Sequence, residues 1–111
     1  MAATLDDLMK TDGVTIAFEF APDGTCVAYR GKDISSEMAA MVTHYCALVT
    51  MMFKTLSSSF TNFSEQNWIP PMGWSYTGGD YTVLIGAGGY RGVFIERNKA
   101  NLTELLAKLS A

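Results

Sequence analysis

The 111-residue sequence is short of charge and holds few cysteines. Charged residues make up only 17% of the chain, below the roughly 25% usual for soluble domains. The eight basic residues are scattered, and the net charge is −3. Phosphate binding needs clustered Lys and Arg, so this distribution argues against a nucleic-acid partner.

Cys26 and Cys46 are the two cysteines. The first ten residues carry acids where a signal peptide has basic residues followed by an apolar run. We therefore expect a cytoplasmic protein with two free thiols rather than a disulfide. Neither a CxxC nor an HExxH spacing occurs, so no metal and no cofactor is expected.

The sequence has no hydrophobic run of membrane length. Residues 38–53 lack Asp, Glu, Lys and Arg but are fewer than the roughly twenty residues that a bilayer requires. No membrane partner is expected. A chain of this length has room for one core, and the absence of a linker or repeat predicts one domain over residues 1–111.

Hydrophobic periodicity predicts the element order α-β-β-α-β-β-β-α. Alternation places Val14, Ile16, Phe18 and Phe20 on one face of the first strand. An antiparallel five-stranded sheet of order 2-1-5-4-3, with the long helix on one face and the terminal helices on the other, satisfies the apolar faces. The predicted helices cover 5–10, 35–65 with Ser35 or Asp33 as N-cap, and a last segment capped by Asn98 or Asn101, and the strands cover 14–20, 26–30, 73–77, 81–85 and 92–96.

The long helix over residues 35–65 is the central element. It carries two adjacent apolar stripes, wider together than one sheet face requires, and a third face of small or polar residues. We predict that one stripe packs on the sheet and that the small face meets a second copy, so that Ala47→Glu would split a homodimer. The predicted interface on this helix comprises Ala40, Thr43, His44, Ala47, Thr50, Met51 and Lys54.

No catalytic set can be assembled, so we expect no enzyme. His44 and Cys46 lie two residues apart and point about 200° away from each other on a helix, so they cannot pair as base and nucleophile. The glycine-rich segment 86–92 lacks the Lys-Ser/Thr of a phosphate loop and joins two strands, which predicts a hairpin loop.

A candidate partner-binding rim combines basic and aromatic residues. The predicted sheet order brings basic side chains near the ends of strands 2 and 5 to one edge, and a tryptophan precedes the diproline Pro70-Pro71. An ordinary solvated rim is the alternative interpretation. The rim residues are Arg30, Lys32, Trp68, Arg97 and Lys99.

Several segments resemble a known family. EFAPDGTCVAYRG, EMAAMVTHYCALVTMMF, NWIPPMGWSYTGGDYTVLIG and GVFIERNKANLTELL are similar to the bacterial family named domain of unknown function 2173. The element order resembles the roadblock/dynein-light-chain fold, a profilin-like α/β sandwich. That resemblance implies dimers in which the long helix and the third strand pair with the partner, which adds Trp74 and Tyr76 to the interface.

The resemblance also implies a role. Proteins of this fold regulate small Ras-like GTPases or act as adaptors, and the bacterial family occurs in sulfur-oxidising and related organisms. We therefore expect a non-enzymatic homodimeric interaction or regulatory module, with a small GTPase or a metabolic, sulfur-related enzyme complex as partner. The alternative is a small-ligand sensor with a pocket between the helix and the sheet near Cys46, Tyr45 and Trp74.

Overall fold

The computed structural model describes residues 4–86, 90–99 and 101–110. Its elements follow the predicted order and agree with the predicted bounds within about two residues, apart from a short 3-10 turn, Arg97–Lys99, that precedes the last helix. The helices are α1 Leu5–Met9, α2 Ser36–Ser64 and α3 Leu102–Ser110, and the strands are β1 Val14–Phe20, β2 Cys26–Gly31, β3 Trp74–Gly78, β4 Tyr81–Gly86 and β5 Arg91–Glu96.

The five strands form one antiparallel sheet of order β2-β1-β5-β4-β3, which confirms the predicted topology. Strands β2 and β3 are therefore the two edges. The predicted loop over 86–92 includes residues 87–89, which lie outside the described residues, and the flanking strands β4 and β5 pair as neighbours. The sheet presents β3 as a free edge.

Each face of the sheet has its own core. Leu84, Val93 and Ile95 pack with α1 and α3 on one face, whereas Phe18 and Ile85 pack with α2 on the other. The continuous apolar runs of β4 and β5 are explained by this double coverage. The predicted division, with the long helix on one face and the terminal helices opposite, is confirmed.

The predicted facing of β1 is wrong at its first residue. The register shifts between Val14 and Ile16, so a bulge lies at the start of the strand. A bulge inserts an extra residue and reverses the side chains beyond it. Val14 consequently packs with Ala17 in the core beneath α1 and α3, while Phe18 and Phe20 face α2.

Capping side chains define the starts of both longer helices. Ser35 is the N-cap of α2 and accepts a hydrogen bond from the backbone N–H of Met38 at 3.2 Å. Asn101 accepts from the N–H of Glu104 at 3.1 Å at the start of α3. Both alternatives that the sequence left open are thereby decided, because a side-chain oxygen satisfies an N–H that lacks an intrahelical partner.

By length and composition alone, α2 is also long and apolar enough to cross a membrane, the one helix within the described ranges to be so. A core helix of a soluble protein meets the same criterion. The first half of α2 packs on one face of the sheet, with its buried residues between Ala39 and Thr50.

Candidate interaction surface

Small residues of α2 face the chain's own sheet. The buried positions of this helix are occupied by Ala, Thr and Cys, while the sheet beneath them contributes the bulky Phe18, Phe20 and Ile85. Small helix residues let the backbone approach a sheet that already carries large side chains. The buried residues of α2 are Ala39, Thr43, Cys46, Ala47 and Thr50.

Hydrogen bonds fix this packing. The hydroxyl of Thr43 donates to the carbonyl oxygen of Gly24 at 2.9 Å and is fully buried. A Cβ atom on Gly24, whose φ is +93°, would lie 3.1 Å from the Cα of His44, so helix and turn are in close contact. Farther along α2, the indole N–H of Trp74 donates to the hydroxyl of Thr50 at 2.9 Å.

These contacts correct part of the predicted dimer interface. Thr43, Ala47 and Thr50 are buried inside the chain, so they are not available to a second copy. The sequence interpretation assumed that large apolar residues would take the sheet side of the helix. Val42 and Cys46 of one predicted stripe do pack in this core, but the positions of α2 that are buried are otherwise filled by Ala and Thr, because the sheet supplies the large side chains itself.

The remaining predicted interface residues on α2 are exposed. Ala40, His44 and Met51 lie at the surface, and the ring of His44 meets that of Tyr45 at 5.3 Å between centroids. Lys54 is occupied within its own chain, because its amino group contacts the hydroxyl of Tyr90 and lies 4.4 Å from the centre of that ring.

A row of large apolar side chains on α2 is left uncovered. Tyr45 is 61% exposed and Met52 is 71% exposed, values far above those of core residues. The spacing of three and four residues keeps the row on one side of the helix. We name this row the apolar stripe, and its members are Met38, Met41, Tyr45, Leu48, Met52, Leu56, Phe60 and Phe63.

The apolar stripe continues onto the edge strand β3. Phe53, beside the stripe, stacks near Trp74 with 5.8 Å between ring centroids, and Tyr76 is 67% exposed. Between α2 and β3 lies an open groove of about 330 Å³. It is lined by Tyr45, Cys46, Val49, Phe53, Trp74, Ser75, Tyr76 and Val83.

The second half of α2 projects from the sheet. None of residues 51–64 is buried, and Phe63 is 92% exposed. The chain then turns back on the end of the helix, where the indole N–H of Trp68 donates to the hydroxyl of Ser64 at 3.1 Å and its ring lies 5.1 Å from that of Phe60. Phe60 and Trp68 therefore form an aromatic cluster at the C-terminal end of α2.

The predicted rim is not one site. Lys32 lies just before the start of α2 and Trp68 just after its end, so 29 helical residues, about 43 Å at 1.5 Å each, separate them. Arg30 pairs with Asp6 at 3.1 Å, and Lys99 lies 3.4 Å from Glu96. These exposed ion pairs contribute little energy.

The two cysteines show no chemistry of their own. Burial raises the pKa of the Cys46 thiol to about 11, and burial also raises the pKa of Cys26. Both therefore hold neutral thiols near neutral pH, and the neutral form is a poor nucleophile. Among the described residues no group of His, Cys, Asp and Glu could hold a metal ion.

Sequence reasoning missed one ion pair whose arginine is buried and whose glutamate is partly exposed. The guanidinium of Arg91 in β5 lies 3.2 Å from the carboxylate of Glu19 in β1, and its side chain is almost fully buried. Its Nε–H makes no hydrogen bond of good geometry, so the attraction is mainly Coulombic. The pair joins the neighbouring strands β1 and β5 within the sheet.

The fold matches that of two proteins of known structure. The architecture is the roadblock-like α/β sandwich that the sequence resembles. A crystal structure of a Roadblock/LC7 domain from Streptomyces avermitilis superposes with a TM-score of 0.72 at 13% identity, covering 92% of this chain and 81% of that one. MglB of Myxococcus xanthus gives 0.63 at 11% identity, covering 93% and 85%.

The sequence assigns the chain to one family among the proteins that share this fold. Residues 4–111 match the family described as "Uncharacterized conserved protein (DUF2173)", and the chain belongs to this family. No curated protein matches the sequence. The resemblance that the sequence segments carry is therefore confirmed for both the family and the fold.

Proposed function

We propose that this protein is a non-enzymatic homodimeric interaction module in which the apolar stripe and β3 of two copies pair. The main support for this proposal is the exposed apolar stripe, which contains no charged residue and continues onto the unpaired edge strand β3. An apolar patch of this extent on a monomer would favour aggregation. A second copy covers it by a closed, twofold arrangement, the commonest among soluble oligomers.

The area available fits a dimer. Eight large side chains, each about half exposed on average, offer roughly 600–1,000 Å² if each has roughly 150–250 Å² in total. A stable interface of standard size buries about 800 Å² on each partner. The stripe alone is therefore of the required size, before β3 is counted.

The edge strand supplies the second part of the interface. In β3 the backbone groups on the side away from β4 have no strand partner in the sheet. Antiparallel pairing of β3 with its copy would extend the sheet to ten strands and satisfy those groups. Tyr76, the middle residue of β3, would then lie beside the twofold axis.

We assign this dimer a regulatory or scaffolding role in the cytoplasm. The fold supports this class of role, since proteins of this fold act as adaptors and as regulators of Ras-like GTPases. The expected partner is a small GTPase or a metabolic, sulfur-related enzyme complex. A binding assay with the GTPases of the source organism, loaded with GDP or a GTP analogue, tests the first of these partners.

Sedimentation velocity of the purified protein tests the dimer. The expected species at micromolar concentration has twice the chain mass of 12.1 kDa. A single species of 12.1 kDa across the concentration range would refute the proposal.

A ligand sensor is the second candidate, and one observation favours it. The groove between α2 and β3 is lined by Tyr45, Cys46 and Trp74, the residues that were predicted from the sequence to form a pocket. Its volume of about 330 Å³ is within the range of small-molecule sites. Thermal-shift screening with nucleotides, thiols and lipids tests it, and stabilisation that Trp74→Ala abolishes would support a sensor.

A further inference from the structure

The apolar stripe of α2 is complementary to a second, antiparallel copy of itself. The centre of this complementarity is the step between Thr50 and Met51, because in that register every member of the stripe meets an apolar side chain, as a twofold interface requires. The resulting pairs are Met38 with Phe63, Met41 with Phe60, Tyr45 with Leu56, Leu48 with Phe53 and Val49 with Met52.

The edge strand β3 lies beneath the same point of α2. The hydroxyl of Thr50 accepts the hydrogen bond from the indole N–H of Trp74 at 2.9 Å. The ring of Phe53 lies 5.8 Å from that of Trp74 between centroids. Because α2 passes over β3 at residues 50–53, a single twofold axis perpendicular to the sheet can relate both the two helices and the two edge strands.

The groove between α2 and β3 lies beside this axis. Val49 and Phe53 line the groove on either side of the centre of the helix pairing, and Tyr76, which also lines it, is the middle residue of β3. The groove has no wall beyond β3, because β3 is an edge of the sheet. A second copy paired along this edge would close the groove and bring its own groove of about 330 Å³ against the first.

The helix pairing would leave the space under the two helices open. Leu48 and Met52 of one copy fall opposite Phe53 and Val49 of the other. Each of them is next in sequence to a residue that lines the groove and is therefore turned about 100° away from it. Leu48 is 45% exposed and Met52 is 71% exposed, since both point away from the sheet. In the dimer they would pack above the grooves rather than fill them.

We propose that the two grooves join across the twofold axis into one apolar chamber, which binds one uncharged, apolar small molecule per dimer. This proposal rests on the homodimer proposed above and gives the groove a ligand class and a stoichiometry. The volume of each groove is already within the range of small-molecule sites, roughly 300–1,000 Å³. A ligand in the joint chamber would contact both copies at once.

The lining of the groove determines the class of ligand. None of the residues that line it is charged, and aromatic rings contribute much of its surface. The thiol of Cys46 is neutral, because burial raises its pKa to about 11. A charged ligand would lose its hydration in the chamber without gaining an ionic partner. Flat apolar molecules, in contrast, suit the rings of Phe53 and Trp74.

Two fluorescent probes with the same ring skeleton test the class of ligand. N-phenylnaphthylamine is uncharged, and anilinonaphthalenesulfonate adds a sulfonate to the same rings. The uncharged probe should bind the purified protein at least about ten-fold more tightly, with one molecule bound for two chains at saturation. Equal or tighter binding of the sulfonate would refute the proposed ligand class, and binding of neither probe would refute the chamber.

The monomer–dimer equilibrium provides a second readout on the unmodified chain. A ligand that requires both copies binds the dimer rather than the monomer, so it must also favour association. Saturating N-phenylnaphthylamine should therefore lower the dimer dissociation constant by at least about ten-fold in sedimentation velocity. An unchanged constant, with one probe bound per chain, would show that each groove binds alone and would refute the joint chamber.

A substitution that fills the groove tests the location of the probe. Val49→Phe should weaken binding of N-phenylnaphthylamine by at least about ten-fold, because the added ring occupies the space of the ligand. Val27→Phe is the matched control, since Val27 is 64% exposed on the far edge strand β2 and should leave binding unchanged. Equal binding by two folded variants would place the probe elsewhere and contradict the proposal.

The outcomes separate the two proposals. If the wild-type protein is a monomer with and without the probe, both the homodimer and the chamber are refuted. If it is a dimer that binds neither probe, or binds one probe per chain with no effect on association, the chamber alone is refuted.

Discussion

Two adjacent residues of α2 are expected to respond in opposite ways to the same substitution. Ala47 is 6% exposed and packs against the sheet, whereas Leu48 is 45% exposed in the apolar stripe. We expect Ala47→Glu to unfold the protein and Leu48→Glu to leave a folded monomer. Because the two positions are neighbours on one helix, differences in helix propensity cannot account for the contrast.

The magnitudes follow from burial. A glutamate at position 47 must place its carboxylate among Phe18, Phe20 and Ile85, at a cost of several kcal/mol for burying an unpaired charge. That cost is comparable to the whole stability of a small domain, about 5–15 kcal/mol. Leu48 is already about half buried in the single chain, so each copy loses about half of the roughly 1.5–3 kcal/mol that full burial of a Leu supplies. Two copies together weaken the dimer by about 1.5–3 kcal/mol, or roughly ten- to a hundred-fold.

Circular dichroism with thermal melting reports folding, and sedimentation velocity reports association. Leu48→Gln serves as a control that keeps the size and removes the charge, and it should weaken the dimer less than Leu48→Glu does. A folded, monomeric Ala47→Glu protein beside a dimeric Leu48→Glu protein would show that the two faces of α2 have been assigned in reverse.

Three smaller predictions concern the scaffold. Thr43→Val should lower the free energy of unfolding by about 1–3 kcal/mol in a urea titration, because the buried carbonyl oxygen of Gly24 then loses its hydrogen-bond donor. Burial raises the pKa of Cys46 to about 11, so this thiol should resist iodoacetamide at pH 8 until urea unfolds the protein. Cys26 is partly exposed and should react slowly in the native protein. Faster labelling of native Cys46 than of Cys26 would contradict the burial of Cys46. Hydrogen bonds from Thr4 hold the pKa of Asp7 below its usual 3.8. The ionised carboxylate therefore stabilises the folded protein at pH values above 3.8. The loss of melting temperature caused by Asp7→Asn should become smaller as the pH falls below 3.8.

The sequence alone determined the elements and their topology. Val14 to Phe20 alternates, Pro22-Asp23-Gly24 forms a turn, and the two central strands are continuous apolar runs, all local patterns that need no knowledge of distant contacts. The order of strands followed because that arrangement gave every apolar face a cover. The N-cap at Ser35 was one of two candidates, and only its contact with Met38 decided between them.

The tertiary structure alone decided which side of α2 faces inward. Periodicity shows that stripes exist on a helix but not which of them meets the sheet, because that depends on the size of the side chains on the other element. Here Phe18 and Ile85 fill the interface from the sheet side, so α2 contributes Ala47 and Thr43. The larger Tyr45 and its neighbours in the apolar stripe are thereby turned outward, where we propose that a second copy of the chain covers them.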